Sequence, residues 1–143
     1  MGETGCVVTL VFFAPGVAAP QGSKTRTKHG MRESSKRVGP WREQVRAAAM
    51  IAADEAYMLG PIAGPVEVAM RFLIRRPKST RAAFPVAPTV GDLDKLVRAV
   101  GDALTQAGVI EDDRFIVDLA ASKRWAHPDE EPGVVVEIRK AER

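Results

Sequence analysis

The apolar positions change period several times along the chain, and each change marks an element. Residues 7–13 are dense in β-branched and aromatic side chains and stop at Ala14-Pro15-Gly16, the composition of a buried strand running into a turn. From 18 to 39 no period of 2 or 3.6 persists, so a long loop is expected. Helical spacing begins at Gly39-Pro40, where a proline at the first helical position sacrifices no hydrogen bond. Trp41, Val45, Ala48, Ala52, Ala56 and Leu59 then form an apolar stripe that Gly60-Pro61 ends. Val66, Val68, Met70, Phe72 and Ile74 alternate with Glu67, Ala69, Arg71 and Leu73, which predicts a second strand. A second irregular stretch, 75–90, leads to Leu93, Leu96, Val97, Val100 and Leu104 at helical spacing, with Gly108 as the stop. Gly101 inside that helix costs about 1 kcal/mol against alanine, so close packing is expected around it. Phe115, Val117, Leu119 and Ala121 alternate with Ile116, Asp118, Ala120 and Ser122 up to Trp125, and 134–139 form a last strand after an acidic turn. The order β-α-β-α-β-β predicts an α+β fold, a mixed β-sheet packed on two helices, in a single domain spanning 1–143.

Composition narrows the class without naming a function. A chain of 143 residues buries roughly 68–70% of the surface its unfolded form exposes, enough for a core without disulfides or structural zinc. With 45% hydrophobic and 27% charged residues it is neither a disordered tail nor a membrane protein. Cys6 is the single cysteine, so no internal disulfide forms, and His29 and His127 are too few to complete a zinc site with it. A reducing compartment fits, and Cys6 reads as a small buried hydrophobe rather than a nucleophile. The N-terminal apolar run followed by small residues resembles a secretory leader, yet residues 1–5 hold no Lys or Arg and do hold Glu3. No apolar stretch approaches the ~20 residues of a membrane span, so a cytoplasmic protein with no membrane association is expected.

Charge changes the picture only when it is resolved along the chain. The net +3 averages over opposed regions. The loop at 18–39 carries Lys24, Arg26, Lys28, Arg32, Lys36 and Arg37 against Glu33, and the loop at 75–90 carries Arg75, Arg76, Lys78 and Arg81 with no acid. Such basic loops suit phosphate contacts, or are solvated faces. Acids collect elsewhere: Asp92 and Asp94 open the second helix, and Glu111-Asp112-Asp113 precede the strand after it. A helix over 92–107 spans about 24 Å, so Asp113 rejoins the first pair only if the following strand runs back along the helix. Carboxylates that converge repel one another, and a divalent cation removes the penalty. Magnesium and manganese prefer oxygen ligands and keep waters, which points to phosphodiester chemistry. An Asp at a helix start equally serves as cap and dipole partner, and Glu-Asp-Asp as a solvated turn.

At these residues the sequence resembles the RusA-type Holliday-junction resolvases, small crossover junction endodeoxyribonucleases of bacteria and their phages. The likeness rests on Gly91-Asp92-Leu93-Asp94-Lys95-Leu96-Val97-Arg98, Asp102-Ala103-Leu104, Val109-Ile110-Glu111-Asp112-Asp113, Lys123-Arg124-Trp125 and the earlier Ala19-Pro20-Gln21-Gly22-Ser23-Lys24. The resemblance implies a homodimer that binds a four-way DNA junction and cuts two strands by metal-dependent hydrolysis in recombination and repair, with Mg2+, or Mn2+, activating the attacking water. It makes Asp92, Asp94 and Asp113 the metal-binding catalytic acids, with Asp112 a neighbour able to substitute. Two positions depart from the family: its Asn after the second aspartate is Lys95, and its lysine six residues after the first is Arg98, which keeps the charge but cannot release a proton. Arg98 is therefore a catalytic candidate for its charge, and Lys95 is the alternative ammonium for the family lysine's role. Lys24, Arg26, Lys28, Arg76, Lys78, Lys95, Lys123 and Arg124 are the expected DNA contacts. Asp102 suits a structural helix role as well as a catalytic one, and Trp41 and Trp125 read as core or dimer-interface residues. A branched-DNA-binding module that does not cut is the alternative function.

Overall fold

The computed structural model describes residues 9–22, 24–27, 30–33 and 36–142, with 24–27 and 30–33 described as backbone. The chain runs β1 (Thr9–Pro15), β2 (Lys24–Thr27), β3 (Gly30–Glu33), α1 (Val38–Glu55), β4 (Val66–Ile74), α2 (Leu93–Ala107), β5 (Ile116–Trp125) and β6 (Gly133–Lys140). One turn of 3-10 helix, Asp113–Phe115, lies between α2 and β5. Four strands form a mixed sheet in the order β1-β6-β4-β5, antiparallel except for the parallel pair β4/β5. Period-2 alternation decides which face is covered. Leu10, Phe12 and Ala14, Val66, Val68, Met70 and Phe72, and Val134, Val136 and Ile138 are buried, whereas Val11, Arg71 and Glu137 between them are exposed.

Both helices cover that apolar face. Trp41, Val45 and Ala49 of α1 and Leu96, Ala99, Val100, Ala103 and Leu104 of α2 join the strand residues in one buried cluster. Each large aliphatic or aromatic side chain sealed there contributes about 1.5–3 kcal/mol relative to exposure. The parallel pair β4/β5 cannot be joined by a tight turn, and α2 supplies the crossover. Consequently α2 runs back against β5, with its first turn beside the end of that strand and its last turn beside the start.

The α+β order is as expected, with three local differences. The stretch 18–39 is not wholly irregular: β2 and β3 pair as an antiparallel hairpin with Lys24 opposite Glu33 and Thr27 opposite Gly30. Its residues carry no apolar alternation because this two-stranded ribbon is separate from the main sheet. The first helix starts at Val38 rather than Pro40, which still lies in the first turn, where its missing N–H breaks no helical bond. It also ends at Glu55, short of Leu59. Tyr57 adopts a left-handed backbone (φ 58°), its N–H bonds Asp54 O, and Met58 N–H bonds Ala53 O, the two bonds of a Schellman stop. Ala56 and Leu59, counted into the stripe by spacing, are therefore exposed. Among the described residues no helix is long and apolar enough to cross a membrane. Trp41 is a core residue, and Trp125 is half-buried with its indole N–H donating to Ala82 O at 2.9 Å.

Candidate active site

The site is built on one stripe of α2. Asp94, Arg98, Gly101 and Thr105 recur at spacings of four, three and four and so share a helix face. That face looks onto β5, and between them lies an open cleft of about 800 Å³ whose lining includes Asp94, Arg98, Gly101, Asp113, Asp118 and Leu119. Asp113 reaches it from the 3-10 turn after α2, which Glu111 steadies by accepting the Gly64 N–H at 2.8 Å. Its carboxylate lies against the helix at Gly101: a Cβ on that glycine would stand 3.6 Å from Asp113 Oδ2. That is ordinary contact distance, so Gly101 is not forced by close packing as its position in the helix suggested.

Thr105 Oγ1 donates to Asp113 Oδ1 at 2.6 Å. Burial pushes the Asp113 pKa above the ordinary carboxylate value; the Thr105 bond lowers it, and the neighbouring Asp102 and Asp112 carboxylates raise it again. Asp102 in turn accepts a hydrogen bond from the Gln21 amide. The Asp112 carboxylate, the neighbour named as able to substitute, is paired with Arg114 at 3.5 Å.

The three predicted aspartates do not converge on one point. Asp113 sits at the level of Gly101, seven residues and about 10 Å of helix rise beyond Asp94. Asp92 holds the position before the first turn, makes no capping hydrogen bond, and is exposed with Lys95 3.8 Å away. Lys95 is thus turned to Asp92. Among the described residues no group of three or more His, Cys, Asp or Glu side chains is placed to hold a metal ion. The donors facing the cleft are all carboxylate oxygens, a set that fits a hard divalent cation bound by one or two carboxylates, waters and a substrate phosphate, rather than a protein-only cage.

The expected DNA contacts divide in three. Lys24 and Arg26 belong to β2 of the hairpin, and Lys28 lies outside the described residues. Arg76 and Lys78 are exposed at a second cleft of about 790 Å³ beyond the end of β4, together with Arg75, Phe84 and Trp125. Lys123 and Arg124 are already engaged: Lys123 Nζ donates to Gly91 O at 2.9 Å, pinning the residue before Asp92, and Arg124 makes two bonds of 2.8 Å to Glu130. Four functional candidates escaped the sequence reading: Thr105, Asp118, Gln21 and Arg42. Thr105 was legible in principle from the helical stripe. Asp118 lies at the start of β5, where the register against β4 shifts, and Gln21 and Arg42 meet only through tertiary contacts.

This geometry, carboxylates and a guanidinium along one cleft, acquires a class from comparison. The family model described as Endodeoxyribonuclease RusA matches residues 14–139, nearly the whole described chain, so the class is endodeoxyribonuclease. More particularly, the chain belongs to the RusA family, nucleases of the Holliday-junction resolvase type. No curated protein matches it.

Proposed function

We propose that the chain is a divalent-cation-dependent, structure-specific endonuclease that resolves four-way DNA junctions by paired phosphodiester hydrolysis. It acts as a homodimer in recombination and repair, in the cytoplasm of a bacterial cell or a phage-infected host. The observation that carries the reading is the α2–β5 cleft, where Asp94, Arg98 and Asp113 face one space in a chain of this nuclease family. Arg98 is exposed on the cleft and stays protonated, so it binds a non-bridging phosphate oxygen and stabilises the charge that grows there. Thr105 holds Asp113 Oδ1 and so fixes the carboxylate that would orient the attacking water or a cation. Asp113 is the residue that would anchor Mg2+ or Mn2+, with Asp94 the acid facing it along the same helix and Asp92 at its exposed start. Bound there, the cation would supply charge neutralisation and polarise the phosphate. Lys24, Arg26, Lys28, Arg76, Lys78 and Arg124 hold flanking backbone, and Lys95 and Lys123 act at the start of α2.

Two symmetric cuts need two sites related by a dyad. Strand β5 is one of the two edge strands of the sheet, and a second copy pairing along that edge would supply the dyad.

The deciding experiment incubates a synthetic four-way junction with magnesium or manganese. Wild type is expected to cut symmetrically, and Asp94→Asn or Asp113→Asn to lose about 10²–10³-fold in rate. Undiminished cutting by both variants rejects the site, and a junction bound tightly but left whole supports the non-cleaving module.

A further inference from the structure

Residues 19–22 form a strap from the end of β1 to the basic hairpin, and it is tied down at four places. Pro20 packs on Gly91, where an added Cβ would fall 2.7 Å from the Pro20 ring and where φ is +93°. The Gln21 backbone N–H donates to Lys95 O at 3.0 Å. Gly22 lies so close to the Arg98 guanidinium that a Cβ there would collide with it. Finally, the Gln21 side chain is used at both ends: Arg42 Nη1 donates to its Oε1 at 2.6 Å, and its Nε2 donates to Asp102 Oδ2.

Asp102 stands beside Asp113, so a line of polar contacts runs from α1 through the strap to the acid of the cleft. Gln21, Arg42 and Asp102 do not line that cleft themselves. Two neighbouring carboxylates repel, and one of them swings toward water unless something holds it. Only a group that both accepts and donates can bridge a guanidinium and a carboxylate, and an amide does so without adding charge. A lysine at this position would add a positive charge beside Asp102; the glutamine adds none.

We propose that Gln21 and Arg42 are positioning residues for Asp113: the Gln21 amide, clamped by Arg42, holds Asp102 against Asp113 and couples that carboxylate to the strap that enters the basic hairpin. Its activity arm rests on the nuclease reading above; its structural arm does not. In the structural arm, hydrogen exchange of the residue-21 amide is followed in full-length wild type, Gln21→Leu, Arg42→Met and Arg42→Lys. Exchange is expected to quicken about tenfold or more in the first two variants, the factor a lost charge-assisted hydrogen bond is worth, and to stay near wild type in Arg42→Lys, which keeps a donor. Equal exchange in all four overturns the clamp.

In the activity arm, single-turnover cutting of a four-way junction should slow about tenfold in Gln21→Leu while junction affinity changes by less than about twofold. Gln21→Leu combined with Asp102→Asn should cut no slower than Asp102→Asn alone, because Gln21 acts through Asp102. Multiplying losses would overturn the relay. If wild type cuts no branched DNA, the nuclease reading fails by itself, and the exchange result still decides the clamp.

Discussion

Thr105 Oγ1 lies 2.6 Å from Asp113 Oδ1 and 3.3 Å from the Gly101 carbonyl one helical turn back. The single hydroxyl proton therefore goes to the carboxylate rather than to the helix backbone. Replacing Thr105 by valine keeps the shape and removes the donor, at a local value of about 1.5–3 kcal/mol for a hydrogen bond to a charged group. Thr105→Val should slow junction cleavage about tenfold or more under single-turnover conditions. Its melting temperature should stay within about 5–10 °C of wild type.

Asp113 also sets a pH dependence of definite sign. Its folded pKa is raised by burial and by Asp102 and Asp112, against the lowering bond from Thr105. The folded state thus holds the proton more tightly than the unfolded chain, and this group's contribution to stability declines as pH rises from 3.8 through the raised value. Asp113→Asn, which can still accept from Thr105, should be more stable than wild type at neutral pH, with the gain vanishing in acid below the ordinary aspartate range. Urea unfolding across roughly pH 3 to 8 measures it. A gain that grew toward low pH would refute the burial argument.

Glu130 behaves in the opposite sense. The hydrogen bond from Arg124, and then the His127 backbone N–H, lower its pKa from 4.5 to about 2. Its contribution is present above 4.5 and is lost as pH falls toward about 2. Glu130→Gln should flatten that part of the acid unfolding curve. Since the side chains are partly exposed, the change should be small and weakened by salt.

Two glycines of the site should respond oppositely to alanine. At Gly91 a Cβ would meet Pro20 at 2.7 Å on a backbone with positive φ, so Gly91→Ala should lower stability by more than about 1 kcal/mol. At Gly101 the nearest atom is 3.6 Å away, and Gly101→Ala should fold normally and gain up to about 1 kcal/mol from helix propensity. Thermal melts of the two variants test both.

Arg76 and Lys78 are exposed beyond β4, away from the acids. Removing both should weaken junction binding and reduce the slope of log affinity against log salt by about 2, near one unit per lost phosphate contact. An unchanged slope would place the DNA elsewhere.

Much of the fold was legible because burial period is a local property. The alternation at 66–74 and the spacing from Leu93 to Leu104 required no knowledge of neighbours, and Gly108 stops α2 with a left-handed backbone at 76° as its chemistry suggests. The acids and basic loops could likewise be read from the chain by residue type. Their arrangement could not. Asp113 lies at Gly101 and Thr105 rather than beside Asp94 because the parallel β4/β5 pair makes α2 run back along β5, and pairing between distant strands has no local signature. The end of α1 turned on one left-handed tyrosine, and the hairpin at 24–33 carries no apolar pattern to read. Gln21 and Asp102 are separated by 81 positions. The sequence by itself determined the elements and the chemistry available. Only the tertiary structure decided which charges share a cleft, because electrostatics and hydrogen bonding act over a few ångströms of space, whatever the separation along the chain.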